Sequence, residues 1–231
     1  MKEFNQKDIE LLVKECNIYA SPKNELVTIE ALPPQLTCVG KGTDAAVFVH
    51  AAFPQYAFKI YAHGKEGTRQ NEVKAYEKLS SHPFFPNFYG TGERFIAISY
   101  ESGLNLQDCL TEGIDIPPHV IEQVDEAIAY ARQVGLNPRD VHLKNIIMQD
   151  DTIKLIDVSE YVLPGDDKRW EHLKEGYRMY YPLIRHRKIP IELIDFAKAH
   201  YQKYKTVGFS GKMINQFLSL FAKNQSKEDA Q

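Results

Sequence analysis

Between Leu36 and Ala62 the sequence passes through three runs of strand-forming residues, LTCVG, AAVFVHA and YAFKIYA. A glycine-containing turn separates the first pair and the Pro-bearing segment AAFPQ the second, which is the pattern of an antiparallel meander. Nothing constrains the fold more than this block, because it commits the first half to β-structure. Ahead of it, Ile9, Leu12, Val13 and Cys16 fall at helical spacing, and a short strand-like stretch covers Leu26 to Leu32. After it, Arg69 to Leu79 reads as a helix with Val73, Tyr76 and Leu79 on one face, then SHPFFPNF breaks the chain before another strand, FIAISY.

The second half changes period. Leu104 to Leu110 is helical, and a longer helix opens at Pro117 and Pro118 with Val120, Val124, Ile128 and Ala131 forming an apolar stripe. The polar segment NPRDVHLKNIIM and the short strand TIKLID follow. Beyond the turn PGDD, where an aspartate can cap a helix, three helices are expected: about Asp167 to Met179, Ile191 to Tyr204 and Lys212 to Ala222. Met213, Phe217, Leu218 and Phe221 make a packing stripe on the last, and residues 224–231 form a polar tail. Strands first and helices afterwards give an α+β chain.

Composition narrows the function classes. With 231 residues, 43% hydrophobic and 26% charged, the chain can bury one core and is neither disordered nor fibrous. A net charge of -3 without a long basic run gives no reason to expect nucleic acid or an anionic membrane as partner. Cys16, Cys38 and Cys109 are scattered and never in CxxC spacing, so reduced thiols are expected rather than disulfides or a thiolate zinc site. His172, His186 and His200 lack metal-ligand spacing. The charged start MKEFNQKDIELLVKEC is neither a secretory leader nor a membrane span, which makes the cytoplasm the expected location. A monomer is the expected state.

Three groups of residues carry the chemistry. Gly40-Lys-Gly42-Thr-Asp-Ala45-Ala-Val47 lies between two strands; glycines there can take φ > 0 and bring main-chain N–H groups to a phosphate, or can simply close a hairpin. Because a strand follows, this is not a Rossmann loop. Lys59 sits on the next strand among apolar residues, solvated or else reaching over the loop to the α- and β-phosphates. In that second case it needs a carboxylate, for which Glu72 is the first candidate and Glu77 the fallback.

The third group is Pro138-Arg-Asp140-Val-His142-Leu-Lys-Asn145 with Asp157 at the end of the strand TIKLI. Singly these are a helix cap, a turn and a β-turn. Together they match what phosphoryl transfer requires: Asp140 to take or orient the acceptor proton, and oxygen ligands Asn145 and Asp157 for Mg²⁺.

These motifs resemble the protein-kinase superfamily over about Val39 to Trp170. The resemblance implies a two-lobed kinase-like domain over 1–231. Its N-lobe, a sheet plus one helix, covers about 1–98, its hinge about 99–103, and its mainly helical C-lobe about 104–223. It further implies ATP and Mg²⁺ as cofactors. Val39, Gly40, Gly42 and Val47 would cover the nucleotide, Lys59 and Glu72 form the ion pair, and Ile98 would stand at the gatekeeper position. Ser99, Tyr100 and Glu101 would be the hinge whose backbone binds adenine, with His82-Pro83 preceding Phe88-Tyr89-Gly90 as in the family.

Departures from the pattern shape the rest. The HRD position reads Pro138-Arg139-Asp140, DFG reads Asp157-Val158-Ser159, the third loop glycine is Ala45, and no APE follows. The stretch from Asp157 to Trp170 is short and offers Ser159 and Tyr161 as its hydroxyls, with Arg139 available to a phosphate. His142 stands where Ser/Thr kinases carry lysine, and it is similar to the DxHxxN pattern of aminoglycoside and choline phosphotransferases. Asp167-Lys-Arg-Trp resembles RIO-type and other minimal kinases. The leading reading is a small bacterial serine/threonine kinase-like protein acting on a protein hydroxyl; a small-molecule kinase and a nucleotide-binding pseudokinase are the alternatives.

Overall fold

The structure, a computed structural model, describes residues 3–203. The expected helix over Lys212 to Ala222, its apolar stripe and the polar tail lie outside those residues.

Helix α1 (Gln6–Glu15) is capped by the Asn5 side chain, which accepts from the Lys7 N–H, and it buries Ile9 and Val13. Strands β1 (Asn17–Tyr19) and β2 (Thr28–Ala31) pair with each other, so the expected strand near Leu26 has a partner that a three-residue run could not announce. Strands β3 (Leu36–Lys41), β4 (Ala45–His50), β5 (Phe53–Tyr61), β6 (Phe88–Thr91) and β7 (Phe95–Ser99) build one antiparallel sheet in the order β3-β4-β5-β7-β6. The meander is as expected, with one correction: β5 begins at Phe53, so Pro54 opens a strand rather than separating two. Proline is tolerated at such a strand start, where its missing N–H is least needed by the ladder.

Period-2 alternation sorts this sheet into two faces. Ala46, Phe48, Phe58, Ile60, Phe95 and Ala97 pack with Ile9, Val13 and Ile18 on one side. Ala45, Ala57, Tyr61, Ile96 and Ile98 point to the other, where α2 (Glu66–Leu79) lies and where the core continues to Val120, Val124 and Ile128 of α4 (Pro118–Gln133). Lys59 stands between Ala57 and Tyr61 on this second face, paired in register with Val47 and Ile96. The sheet therefore turns one cation toward the second half of the chain.

That second half holds α3 (Leu106–Glu112), α4, a small sheet of β8 (Leu104–Asn105), β9 (Ile146–Gln149) and β10 (Thr152–Leu155), then α5 (Arg169–Ile184) and α6 (Ile191–Lys203). The helix expected from Leu104 starts two residues later, because Leu104 and Asn105 pair with β9 and Asn105 caps α3 by accepting from the Asp108 N–H. Helix α5 outruns its expected end at Met179 and carries Pro182. Proline removes a helix hydrogen bond, but stacking of Tyr177 on Tyr181 at 4.7 Å, and their hydroxyl bonds to the Ile116 carbonyl and Asp115, hold the last turns. Trp170 is a packing residue as expected, 5% exposed, with Nε1 donating to Asp125 at 2.7 Å. All three cysteines are free, and burial pushes the Cys16 and Cys109 thiols up to about 11. No helix among the described residues is long and apolar enough to cross a membrane.

Candidate active site

Lys59 and Asp157 stand 98 positions apart in the sequence, and the fold brings them into contact. The Lys59 ammonium lies 2.7 Å from Glu72 Oε2 on α2 and 2.8 Å from Asp157 Oδ1, just past β10. Glu72 is fully buried, and its Oε2 also accepts a hydrogen bond from the Tyr61 hydroxyl. The fallback Glu77 is exposed on the other side of α2. Helical periodicity pointed to Val73, but the buried face runs through Glu72, Ala75, Tyr76 and Leu79, and Val73 is only half-buried. A buried carboxylate replaces an apolar residue there because Lys59 is present to neutralise it.

The protonation directions follow from this contact. Burial pulls the Lys59 ammonium down, but the charges of Asp157 and Glu72 outweigh it and raise the group above its ordinary range. Burial raises the Glu72 carboxyl, with Lys59 opposing. Burial also acts upward on Asp157, yet Lys59 and the Ser159 hydroxyl bring it below its usual value.

Asp157 takes a left-handed φ of 58°, which aspartate tolerates better than most residues and which turns its carboxylate back toward Lys59. Oδ1 accepts from both Lys59 and Ser159, the latter at 3.0 Å, and the side chain keeps 41% exposure. Asn145, 8% exposed, closes a 3-10 turn and donates through Nδ2 to the Asp140 carbonyl at 3.2 Å, leaving its own carbonyl oxygen for another partner. The Ile156 N–H donates to the Asn145 main-chain carbonyl, which ties the Asn145 turn to the residue preceding Asp157.

Asp140 is also left-handed, φ 57°. Its N–H donates to Asp167 Oδ2 at 2.8 Å and its carboxylate contacts the Arg169 guanidinium. His142 Nε2 lies 3.8 Å from Asp140 Oδ2, and Nδ1 accepts from the Lys144 N–H. Burial first, then Arg169, pulls the His142 imidazole down to about 4, so it is neutral at pH 7 and carries its proton on Nε2, facing Asp140. Burial raises the Asp140 carboxyl, with Arg169 pulling the other way. In the sequence Arg169 stands out only as part of the segment Asp167-Lys-Arg-Trp, with no role at the site attached to it.

The glycine loop departs from expectation. Neither Gly40 nor Gly42 has a positive φ, and a Cβ at either would meet only ordinary contacts, 3.8 Å to Val47 and 3.4 Å to the Ala45 carbonyl. The turn is instead closed by the Gly42 N–H donating to the Ala45 carbonyl at 2.8 Å, with Asp44 pinned by Lys65 at 2.7 Å and Thr68 at 3.1 Å on the α2 side. Val39 is 42% exposed beside the bulge at Cys38 to Gly40, and Val47 is half-buried on the Lys59 face.

At the expected hinge, Ile98 is 7% exposed and lies opposite Ala57. The N–H groups of Ser99 and Tyr100 are already spent on the carbonyls of Asn87 and Gln55, both at 2.9 Å, so an adenine would have to use other main-chain groups of this stretch. The Glu101 carboxylate is held by the Ser99 hydroxyl and by Gln149 at 3.1 Å.

Arg139 is not free for a phosphate. It donates to the Pro164 carbonyl and faces Glu160 at 3.6 Å. Asn137 donates to the Leu163 and Gly165 carbonyls at 2.7 and 2.6 Å, which staples the segment after Asp157 to the Asp140 loop. Ser159 and Tyr161, its hydroxyl residues, are both buried.

Among the described residues no group of three or more His, Cys, Asp and Glu forms a self-sufficient metal cage. Asn145 and Asp157 nevertheless offer the hard oxygen donors that Mg²⁺ takes when phosphates and waters complete its shell. A scan of protein-family models finds no match to the chain. The chain is 36% identical over 178 residues, 74% of its length, to the Bacillus subtilis protein named "Putative serine/threonine-protein kinase YrzF", of which the match covers 83%. At that identity and coverage, the chain belongs to the same kinase-like family as the Bacillus protein.

Proposed function

We propose that this protein is an ATP- and Mg²⁺-dependent phosphotransferase that transfers the γ-phosphoryl group to a serine or threonine hydroxyl of a protein. In this reading residues 1–98 and 104–223 act as two lobes with the nucleotide between them. The observation that carries the proposal is the ion cluster Lys59–Glu72–Asp157, brought together from three elements, in which the enclosed Glu72 is costly to bury without Lys59 and Asp157 keeps a face to solvent. Bound ATP supplies the phosphoryl group, and Mg²⁺ supplies positive charge across its phosphates.

Each residue then has one task. Lys59, held extended by Glu72, neutralises the α- and β-phosphates. Asn145 and Asp157 hold Mg²⁺ through oxygens. Val47 and Ile98 line the adenine site from the Lys59 face of the sheet. Gly40 and Gly42 are not demanded by the protein's own packing, which favours close approach of a ligand as their purpose. Asp140 accepts or orients the proton of the attacking hydroxyl, and the neutral His142 beside it donates toward that carboxylate.

Incubation of the purified protein with γ-labelled ATP and Mg²⁺ tests the reading. Label transferred to itself or to a protein acceptor supports it. Mg²⁺-dependent ATP binding without any transfer would make the protein a nucleotide-binding module instead. A small-molecule acceptor is the second reading. It is favoured by the short segment between Asp157 and α5, stapled by Asn137 and Arg139, which leaves little chain to dock a peptide. Label appearing only in a low-molecular-weight fraction would select it.

A further inference from the structure

Asp140 projects from a loop in a left-handed conformation, and such a residue keeps its aim only if its surroundings hold it. The hold comes from the start of α5, well downstream in the sequence. Asp167 accepts the Asp140 N–H through Oδ2 at 2.8 Å and, through Oδ1, the Arg169 N–H at 3.1 Å. The Arg169 guanidinium contacts Asp140 Oδ1 and lies 3.8 Å from Asp167. The first turns of α5 are in turn fixed to α4, because Asp125 accepts from Trp170 Nε1 at 2.7 Å and from Lys174 at 2.8 Å.

The other cations near the site are differently employed. Lys59 is engaged at the other end by Glu72 and Asp157, Arg139 is turned to Pro164 and Glu160, and Lys144 is exposed. His142, although closer in sequence, approaches the Asp140 carboxylate only to 3.8 Å.

Resting on the phosphotransferase reading, we propose that Arg169, braced by Asp167, is a positioning residue for the transfer step: it aims the Asp140 carboxylate at the acceptor hydroxyl and sets a fixed positive charge beside the reacting oxygens. In that step the acceptor oxygen bonds to the γ-phosphorus and its proton passes to Asp140, then to water. The bond from that phosphorus to the β-bridging oxygen breaks, and ADP departs with the electron pair. A guanidinium fixed in advance costs no reorganisation as charge moves, which is where such groups contribute most.

The experiment compares wild type with Arg169→Gln, Arg169→Lys and Asp167→Asn, using ATP, Mg²⁺ and β-casein as acceptor probe. Equilibrium binding of a non-hydrolysable ATP analogue with Mg²⁺ is measured on the same proteins. Arg169→Gln is expected to lower kcat by roughly 10²-fold, in the range of losing one preorganised electrostatic donor. Analogue binding should stay within about threefold of wild type, since the charge acts at the acceptor end. Arg169→Lys should recover about tenfold of the loss, and Asp167→Asn should lose about tenfold.

A kcat for Arg169→Gln equal to wild type overturns the inference while leaving the phosphotransferase reading intact. A higher kcat also overturns it, because Arg169 would then be a lock on Asp140. Equal loss in the Gln and Lys variants together with a lowered melting temperature assigns Arg169 a purely structural role, against the inference. Should Arg169→Gln fail to fold, Asp167→Asn decides, unchanged kcat being the overturning result. Wild type that transfers no label to casein, itself or any small molecule overturns the phosphotransferase reading, and this inference with it.

Discussion

The two ends of the site are built differently. At the Lys59 end, charges from β5, α2 and the turn after β10 meet in one cluster, with Glu72 completely enclosed, Lys59 12% exposed and Asp157 open to solvent on its outer side. At the Asp140 end, no charge is fully enclosed: the carboxylate is 34% exposed, contacts the Arg169 guanidinium and faces His142 at 3.8 Å, while Asp167 holds the Asp140 N–H. The first arrangement is expensive to assemble, and it fails if Lys59 is lost and Glu72 stays buried without a partner. The second is an adjustable loop trimmed by one helix start. This contrast is what a transfer site needs if the nucleotide is gripped in a fixed place while varied hydroxyls approach from solvent.

Lys59→Met should test the contrast hardest. Activity should fall below detection, and stability should drop by roughly 3–5 kcal/mol at pH 7, because Glu72 is left as an uncompensated buried charge. The pH dependence has a definite sign. Glu72 is already raised from 4.5 by burial, and without Lys59 it rises further. The folded state then holds that proton more tightly than the unfolded chain, so stability falls as pH climbs from the ordinary value through the raised one. Urea unfolding at pH 5 and pH 7.5 should therefore show a smaller loss for Lys59→Met in acid; a larger loss in acid would break the account of a buried carboxylate.

Next in size is Asp140→Asn, expected to lower kcat by about 10²- to 10⁴-fold while leaving stability within about 1 kcal/mol of wild type, since that end is open to water. A stability loss as large as that of Lys59→Met would erase the distinction between the two ends. Asn137→Ala removes two side-chain bonds to the carbonyls of Leu163 and Gly165 and should cost about 1–2 kcal/mol in urea unfolding. Proteolysis within 160–168 should quicken in the same variant. The smallest effect is expected from Asp44→Ala, which releases the hairpin tip from Lys65 and Thr68 and should cost roughly 0.5–1 kcal/mol. Its KM for ATP should rise a few-fold while kcat holds.

The same contrast explains what could be read in the sequence. The meander, α2 and the stripe of α4 were legible because periodicity over many residues reports which face is buried. Strands β1, β8 and β9 were not: each is only two to four residues long, and β8 is held by β9, some forty residues further on. The residues of the Lys59 end stood out by their order along the chain. Glu72, by contrast, runs against amphipathic logic, and only its partner makes sense of its burial. Arg169 was visible only as part of the segment Asp167-Lys-Arg-Trp and without a role: a basic residue near a helix start is ordinary, and its contact exists only through the loop that carries Asp140 beside it. Nor could spacing reveal that Gly40 and Gly42 sit in ordinary backbone geometry, because a glycine in sequence does not report its φ.

The central claim is that Lys59, Glu72 and Asp157 together form a magnesium-nucleotide site. Calorimetric titration of ATP into wild type and Asp157→Asn, each with Mg²⁺ and with chelator, tests it directly. Binding in wild type should require Mg²⁺ and weaken by at least about tenfold in the variant. Undetectable binding at millimolar ATP, or binding indifferent to both metal and Asp157, would contradict it.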